Sequence, residues 1–241
     1  MKSANLTWMK QHMYPRLVSN NLKSSTLKRL ADELSTLCGR KIWRAKTPRI
    51  NKLNLTYGDC RDKIYQYKWF EENQVQSIPF TVNKEVAKQW LQEGDTVFAR
   101  TLITASEGRG IAVLESLEQA ETVSAPVFTL YIPKKYEYRV HIFKDQVVAI
   151  LEKRKRKGVT SDSKIRNTAN GYVFCRENVE IPEGIKELAL KARKVTKSDF
   201  VGVDIGYNVK RNLLFVIECN SAPGIEGTNI NDYCNEIIKH V

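Results

Sequence analysis

The sequence has little of what builds disulfide-stapled or zinc-stapled folds. Its five cysteines (Cys38, Cys60, Cys175, Cys219 and Cys234) are scattered, odd in number and form no C-x-x-C pair. Neither a disulfide framework nor a zinc site is suggested by that spacing. Only three histidines occur, His12, His141 and His240, and none is at metal-ligand spacing from another. His141 falls in an alternating pattern and reads as an ordinary strand residue. Cys-His or Ser-His nucleophilic chemistry has little support. No apolar run approaches the ~20 residues needed to span a bilayer, and residues 1–10 lack the apolar core of a signal peptide. No membrane partner and a cytoplasmic location are expected. There is no internal repeat and no low-complexity linker.

What is present is an ordinary globular composition with an unusual charge. The 241 residues are 42% hydrophobic and 27% charged, with a net charge of +12. That length allows one large domain, or a main domain with a small satellite. A basic chain attracts acidic partners: nucleotides, nucleic acid or an acidic peptide tail. A generic cationic surface that aids solubility is an equally good account.

The periodicities mix helices and strands. Leu27, Leu30, Ala31, Leu34 and Leu37 recur at helical spacing, with Ser24 and Ser25 as caps and Gly39 as a stop. A strand over 41–44 completes a small N-terminal unit ending near Gly58. Residues 62–72 read as a helix, 77–81 as extended before and after Pro79, and Asn83 caps a helix through Leu91. Strands are expected over 96–100, 110–114 and 127–132. Tyr138, Val140 and Ile142 alternate with Arg139, His141 and Phe143, and a turn at Lys144-Asp145 leads into 146–152. A helical stripe follows from Ile185 to Val195, then strands over 200–205 and 213–219. Antiparallel pairs mixed with helices indicate an α+β protein.

The most informative stretch is Leu213-Leu214-Phe215-Val216-Ile217-Glu218-Cys219-Asn220. Five apolar residues in a row predict a strand covered on both faces. A carboxylate at the end of such a run is costly unless paired or metal-bound. Glu218 and Asn220, two apart, share a face of the strand. Oxygen ligands of this type suit Mg²⁺. Asp204 is a lone acid in the preceding apolar strand, and a hairpin would bring it to Glu218. The alternative is a pair of strand-end charges balanced by a lysine.

The string from Glu218 through Pro223-Gly224 to Glu226-Gly227 resembles the E-x-N-x-x-P-G-x-E-G signature of RimK-type ATP-grasp ligases. The resemblance covers 62–241. It implies an ATP-grasp fold with a short leading unit over 1–60 and an ATP-grasp domain over 61–241. Within that domain it implies a nucleotide-clamping part near 80–132 and a catalytic part near 133–241. It implies ATP and Mg²⁺ (or Mn²⁺), with Asp204, Glu218 and Asn220 as metal ligands.

Further motifs follow the same resemblance. Asp62-Lys63 is similar to the start that sends a lysine to a phosphate. Arg100, then Ser106, Gly108 and Gly110, resemble the strand cation and Gly-rich loop over the phosphates, where glycines let backbone N–H groups approach. Arginine replaces the usual lysine, as in a phage-borne branch of small ATP-grasp proteins. Leu130-Tyr131-Ile132 resembles the adenine hinge. Leu130 stands where glutamate is usual, so only backbone contacts are implied there. Glu137 is placed near the ribose and Arg139 near the reacting phosphate or acyl group, although a cross-strand ion pair is the simpler reading of both. Arg166 and Asn167 resemble the R-x-N-x-x-x-G loop, one position out of step, with Asn170 where a later arginine is usual. In the basic tract 153–157, Lys153 or Arg154 is implied to face the site.

The implied function is a carboxylate-amine ligase acting through an acyl phosphate, with Arg139, Lys153 and Asn167 as catalytic residues. Its carboxylate and amine substrates include a peptide or protein tail as one option. Two alternatives stay open: a small-molecule kinase, and a basic nucleic-acid-binding module with a degenerate ATP site. Trp8, Tyr14 and Trp43 shape either the substrate pocket or a homo-oligomer interface.

Overall fold

A computed structural model describes residues 15–50, 53–59, 62–105, 108–160, 164–225 and 227–239. Trp8, Tyr14, Ser106, Glu107 and Glu226 lie outside the described residues. No helix among the described residues is long and apolar enough to cross a membrane.

Three sheets organise the chain. The first is parallel, in the order β2-β1-β3, from β1 (Pro15–Val18), β2 (Trp43–Ala45) and β3 (Leu53–Thr56). Helix α1 (Ser25–Cys38) covers it with Leu27, Leu30, Ala31 and Leu34. The Ser24 side chain accepts from the Leu27 N–H, and Gly39 at φ 62° ends the helix by donating to the carbonyls of Ser35 and Thr36. Only Gly adopts that backbone at little cost, which is why this boundary was legible. Strands β1 and β3 were not anticipated: four residues are too short for a periodicity. Their Leu17 and Leu55 pack into one buried cluster with Phe143, Phe200 and the last helix, α6 (Asn229–Ile238).

The second sheet is antiparallel, β4-β7-β5-β6, from β4 (Phe80–Thr81), β5 (Val97–Arg100), β6 (Ile111–Leu114) and β7 (Val127–Leu130). Helix α3 (Lys84–Gln92) begins where the Asn83 side chain accepts from the Glu85 N–H. Helix α4 (Leu117–Thr122) begins at a reciprocal Ser116–Gln119 box. Ala87, Leu91 and Ala120 seal these helices onto Val97, Ala99 and Phe128.

The third sheet, β10-β9-β8-β11-β12, is also antiparallel. It comprises β8 (Tyr136–Phe143), β9 (Gln146–Lys155), β10 (Tyr172–Cys175), β11 (Phe200–Asn208) and β12 (Leu213–Asn220). Helix α5 (Ile185–Ala192) packs on it with Ile185, Ala189 and Ala192. The sheet corrects one expectation: β11, not β12, is buried almost throughout. β12 has Phe215, Ile217, Glu218 and Asn220 on a cavity. In a regular strand 215 and 217 would face away from 218 and 220. The register runs Asp204 to Glu218 and then Ile205 to Val216, so Ile217 is an extra, bulged residue. The bulge turns both pairs toward the same space.

The outer edge of β12 is closed by the chain before the second sheet. Val216 donates to the Gln76 carbonyl at 2.8 Å, and Ile78 donates back to Val216 at 3.1 Å. Helix α2 (Lys63–Glu72) lies alongside, and its Gln66 side chain acts as a strand would. Its amide donates to the Cys219 carbonyl at 2.8 Å and accepts from the Cys219 N–H at 2.9 Å. Both polar groups of an edge residue are thereby satisfied inside the protein.

Candidate active site

A cavity of about 770 Å³ lies between the second and third sheets. Eight lysines and arginines but only three carboxylates line it, so it is suited to a highly anionic ligand. Apolar side chains, Ile78, Phe98, Ile132, Leu151, Phe215 and Ile217, also line it.

Three neighbouring strands bring Arg139, Asp204 and Glu218 into one row, because Asp204 is the register partner of both others. Arg139 grips Asp204 with two parallel bonds, Nε–Oδ1 and Nη2–Oδ2, each 2.7 Å. Lys63, buried at the start of α2, places Nζ 3.0 Å from Glu218 Oε2. Burial works against both charges of that pair. Glu218 nonetheless raises the Lys63 pKa, while Lys63 and Arg100 hold the Glu218 carboxyl down to about 2. Burial likewise works against the Arg139 charge, and Asp204 more than offsets it, raising its pKa. Asn220 Nδ2 lies 3.5 Å from Asp204 Oδ2.

In the row Lys63 meets a carboxylate and Arg139 forms the cross-strand ion pair that was the simpler reading of it. The reason is electrostatic: carboxylates this deep require cations within hydrogen-bonding reach.

Asp204, Glu218 and Asn220 all line the cavity and together offer only oxygen donors from side chains apart from the amide nitrogen. Among the described residues there is no cluster of three or more His, Cys, Asp or Glu. Two carboxylates and an amide oxygen cannot complete an octahedron alone, which fits an ion that takes the rest from water and phosphate.

Other predicted residues divide. Arg100, Gly108, Leu130, Tyr131, Ile132, Glu137, Lys153, Arg166 and Asn167 reach the cavity. Arg100 is buried, its Nε has no hydrogen-bond partner, and its guanidinium lies 5.9 Å from the Tyr67 ring centroid. A buried guanidinium edge without a partner is costly unless a ligand supplies one. Gly108, at φ 73°, lies so near Asn167 and Ile165 that a Cβ would fall 3.1 and 3.0 Å from them. The Gly-rich turn and the R-x-N loop are thus in contact. Gly110 instead closes the β5–β6 turn, its carbonyl accepting from Thr101 N–H at 2.8 Å, and does not line the cavity. The Leu130 N–H is committed to the Pro79 carbonyl at 3.0 Å and the Tyr131 N–H to that of Thr96 at 2.9 Å. Neither is open to a base. Arg154 turns away to Glu152 and the carbonyls of Glu177 and Asn178, leaving Lys153 as the tract's contact with Glu137.

A family model, RimK-like ATP-grasp domain, matches residues 101–240, more than half of the chain. The chain belongs to the RimK-like ATP-grasp family. ATP-grasp ligases use ATP and Mg²⁺. A curated relative, the ribosomal protein bS6–L-glutamate ligase of Escherichia fergusonii, is 32% identical over 136 residues. That match covers 52% of this chain and 43% of the relative, so the chain spans less than half of that protein's length. Among solved structures, ATP-grasp ligase PsnB complexed with a minimal precursor superposes at a TM-score of 0.67 and 13% identity, covering 94% of this chain and 99% of that one. D-alanine–D-alanine ligase from Bacillus anthracis gives 0.57 at 14% identity, covering 95% and 99%. At such identities these likenesses show the ATP-grasp fold, α+β as the sequence indicated.

Some residues in and around the cavity had no signal in the sequence. The Lys134 side chain is only 7% exposed, lies 3.5 Å from Glu137 and 5.2 Å from the Tyr131 ring, and loss of water around it lowers its pKa. It follows Pro133 in what reads as a surface turn. Gln66 and Tyr67 looked like generic residues of a helix, and β10 was not read as a strand.

Proposed function

We propose that the protein is an ADP-forming ligase that uses MgATP to join a carboxylate to an amine, with residues 1–60 as a short leading unit and 61–241 as the catalytic body. The observation that carries this reading is the Arg139–Asp204–Glu218–Lys63 row at a cationic cavity that also has apolar lining. Adenine is assigned to the apolar lining beside Ile132, since the N–H groups of Leu130 and Tyr131 are already used. Glu137, held between Lys134 and Lys153, is assigned to the ribose. Gly108, Arg100 and Asn167 are assigned to the phosphates.

Asp204, Glu218 and Asn220 would hold Mg²⁺, which when bound supplies positive charge to the phosphate oxygens during transfer. Arg100 offers its unpartnered edge to the same oxygens, and Lys63 is close enough to shift from Glu218 toward them. The substrate carboxylate attacks the γ-phosphorus, an O–P bond forms, and the bond to ADP breaks. The amine then attacks the activated carbon, and phosphate leaves with the amine's proton. Arg139 and Lys153 stabilise the negative charge that develops. Of the solved ATP-grasp ligases with this fold, one is complexed with a minimal precursor, Mg and ADP and another with a precursor peptide and AMPPNP. A peptide is accordingly proposed as one of the two substrates.

Calorimetry with MgATP on the wild type and on Glu218→Ala tests this, followed by a substrate screen read by ADP release. Binding that is lost in the variant, with ADP released only when an acid and an amine are both present, is the expected result. ADP release with one substrate alone would make the protein a kinase. No nucleotide binding by the intact protein would remove the reading.

A further inference from the structure

Most of the chain's net charge lies away from the cavity. Residues 1–60 hold twelve of the 39 lysines and arginines but only three of the 27 acids, so the leading unit carries +9 of the net +12. None of it lines the cavity, whose lining begins at Ile78.

The first sheet gathers part of this charge on one face. Trp43 and Asn54 are the register partners of Arg16 on its two sides, so the three side chains stand in a row across β2, β1 and β3. Leu17 and Leu55, one residue on, point the opposite way by strand alternation and are spent in the core with α1 and α6. The row therefore occupies the face turned away from that core. Trp43 is 59% exposed, and the Lys41 ammonium lies 4.2 Å from its ring centroid. At the other end of the row, the Asn54 side chain clamps the Arg49 backbone: Oδ1 accepts from the N–H at 3.0 Å and Nδ2 donates to the carbonyl at 2.8 Å. Exposed Lys41 and Arg49 thus flank an exposed indole and Arg16. No acid of the leading unit belongs to the row. Asp32 and Glu33 are on α1, and Asp59 accepts from the Thr196 hydroxyl and the Lys197 N–H.

We propose that this face binds single-stranded nucleic acid, with a base stacked on Trp43 and phosphates on Arg16, Lys41 and Arg49. An unstacked base offers the indole a flat partner, and the backbone offers regularly spaced negative charge to the cations. An acidic peptide would meet the cations but not the ring. A lipid surface calls for the apolar face of a helix, and that of α1 is already buried. The proposal does not depend on the ligase reading.

The test is fluorescence anisotropy of labelled oligo(dT), oligo(U) and duplex DNA, each of ~20 nucleotides a strand, with the full chain between about 50 and 200 mM salt. It is run on the wild type, Trp43→Ala, Lys41→Gln/Arg49→Gln and, as an equal loss of charge on α1, Lys28→Gln/Arg29→Gln. Thermal melting checks that each variant folds. At least one of the single strands should bind more tightly than the duplex, and the pair of them separates DNA from RNA. Trp43→Ala should weaken that binding ~10-fold. Lys41→Gln/Arg49→Gln should reduce the slope of log affinity against log salt by ~1.4, as expected for two lost phosphate contacts. The α1 variant should stay close to the wild type in both respects. No binding of either single strand at the lower salt overturns the proposal. Binding that prefers the duplex and is unchanged in Trp43→Ala, or that falls equally in the α1 variant, is general cationic attraction and also overturns it. If the oligonucleotides do not bind but polyglutamate or phosphatidylserine vesicles do, the face belongs to an acidic peptide or a membrane and the proposal falls. Should Trp43→Ala fail to fold, an unchanged salt slope in Lys41→Gln/Arg49→Gln is sufficient to reject it.

Discussion

Lys63 Nζ and Glu218 Oε2 lie 3.0 Å apart, both largely shielded from solvent, and they join the first turn of α2 to the bulged end of β12. On the proposed reading, the pair holds the carboxylate that would bind Mg²⁺. Removing one partner of a buried pair leaves the other uncompensated, which typically costs about 3–5 kcal/mol. Glu218→Gln should destabilise the protein by about 3 kcal/mol at neutral pH and abolish Mg²⁺-dependent ATP binding. The double variant Lys63→Met/Glu218→Gln should recover most of the stability but none of the binding. Urea unfolding and calorimetry on the three proteins separate these effects.

The same pair sets an acid response. Burial opposes the Glu218 charge, but Lys63 and Arg100 bring its pKa to about 2 from an ordinary 4.5. A depressed carboxylate contributes stability that is present above the unfolded value and is lost as pH falls through the folded one. The contribution should therefore decline between about pH 4.5 and pH 2, and it should be missing from Glu218→Gln. Acid titration of unfolding free energy will show whether the wild type and variant curves converge toward pH 2.

His141 predicts a separate, milder window. It is buried, its Nδ1 lies 3.2 Å from the Tyr233 hydroxyl, and burial together with Arg139 pushes its pKa to about 3 from 6.5. It stays neutral in the folded protein while the unfolded chain takes up a proton. Stability should thus fall by up to ~1.4 kcal/mol per pH unit as pH drops from 6.5 toward 3. His141→Gln should flatten that slope between pH 6.5 and 4.5, and an unaltered slope would sink the assignment.

Gln66 holds both polar groups of Cys219. Replacing it with Leu leaves a buried carbonyl and a buried N–H without partners, at about 1–3 kcal/mol each. A loss of at least ~2 kcal/mol in urea unfolding is expected. Because the same helix presents Lys63, MgATP binding should also weaken.

Gly206 stands against the tip of the Phe215 ring, where a Cβ would come within 2.3 Å of Cζ. Overpacking of this kind costs about 1–3 kcal/mol, and more when the neighbour cannot move. Gly206→Ala should lower the melting temperature markedly, and adding Phe215→Leu should restore part of it. Equal melting temperatures for Gly206→Ala and the wild type would show that the ring has room to shift.

Helix α1 was legible because its signals are local: a side-chain cap, a four-residue apolar recurrence and a glycine able to take positive φ. The hairpin β8–β9 was legible for the same reason, from alternation around Lys144-Asp145. Asp204, Glu218 and Asn220 could be singled out because polar oxygen donors in apolar runs are conspicuous. Contacts across strands are not written in one segment. That Arg139 would grip Asp204, and that Lys63 would meet Glu218 rather than stand free, depended on which strands and helix became neighbours.

By itself, then, the sequence determined the α+β element pattern, the acidic strand ends and their likeness to a ligase family, because short-range periodicity and local chemistry do not need the fold. Only the tertiary structure decided the Ile217 bulge, the service of Gln66 as a substitute strand, the shielding of the Lys134 side chain and the alignment of Trp43 with Arg16. Each follows from register and packing between segments far apart in the chain, where a shift of one residue turns a side chain from the site to the opposite face.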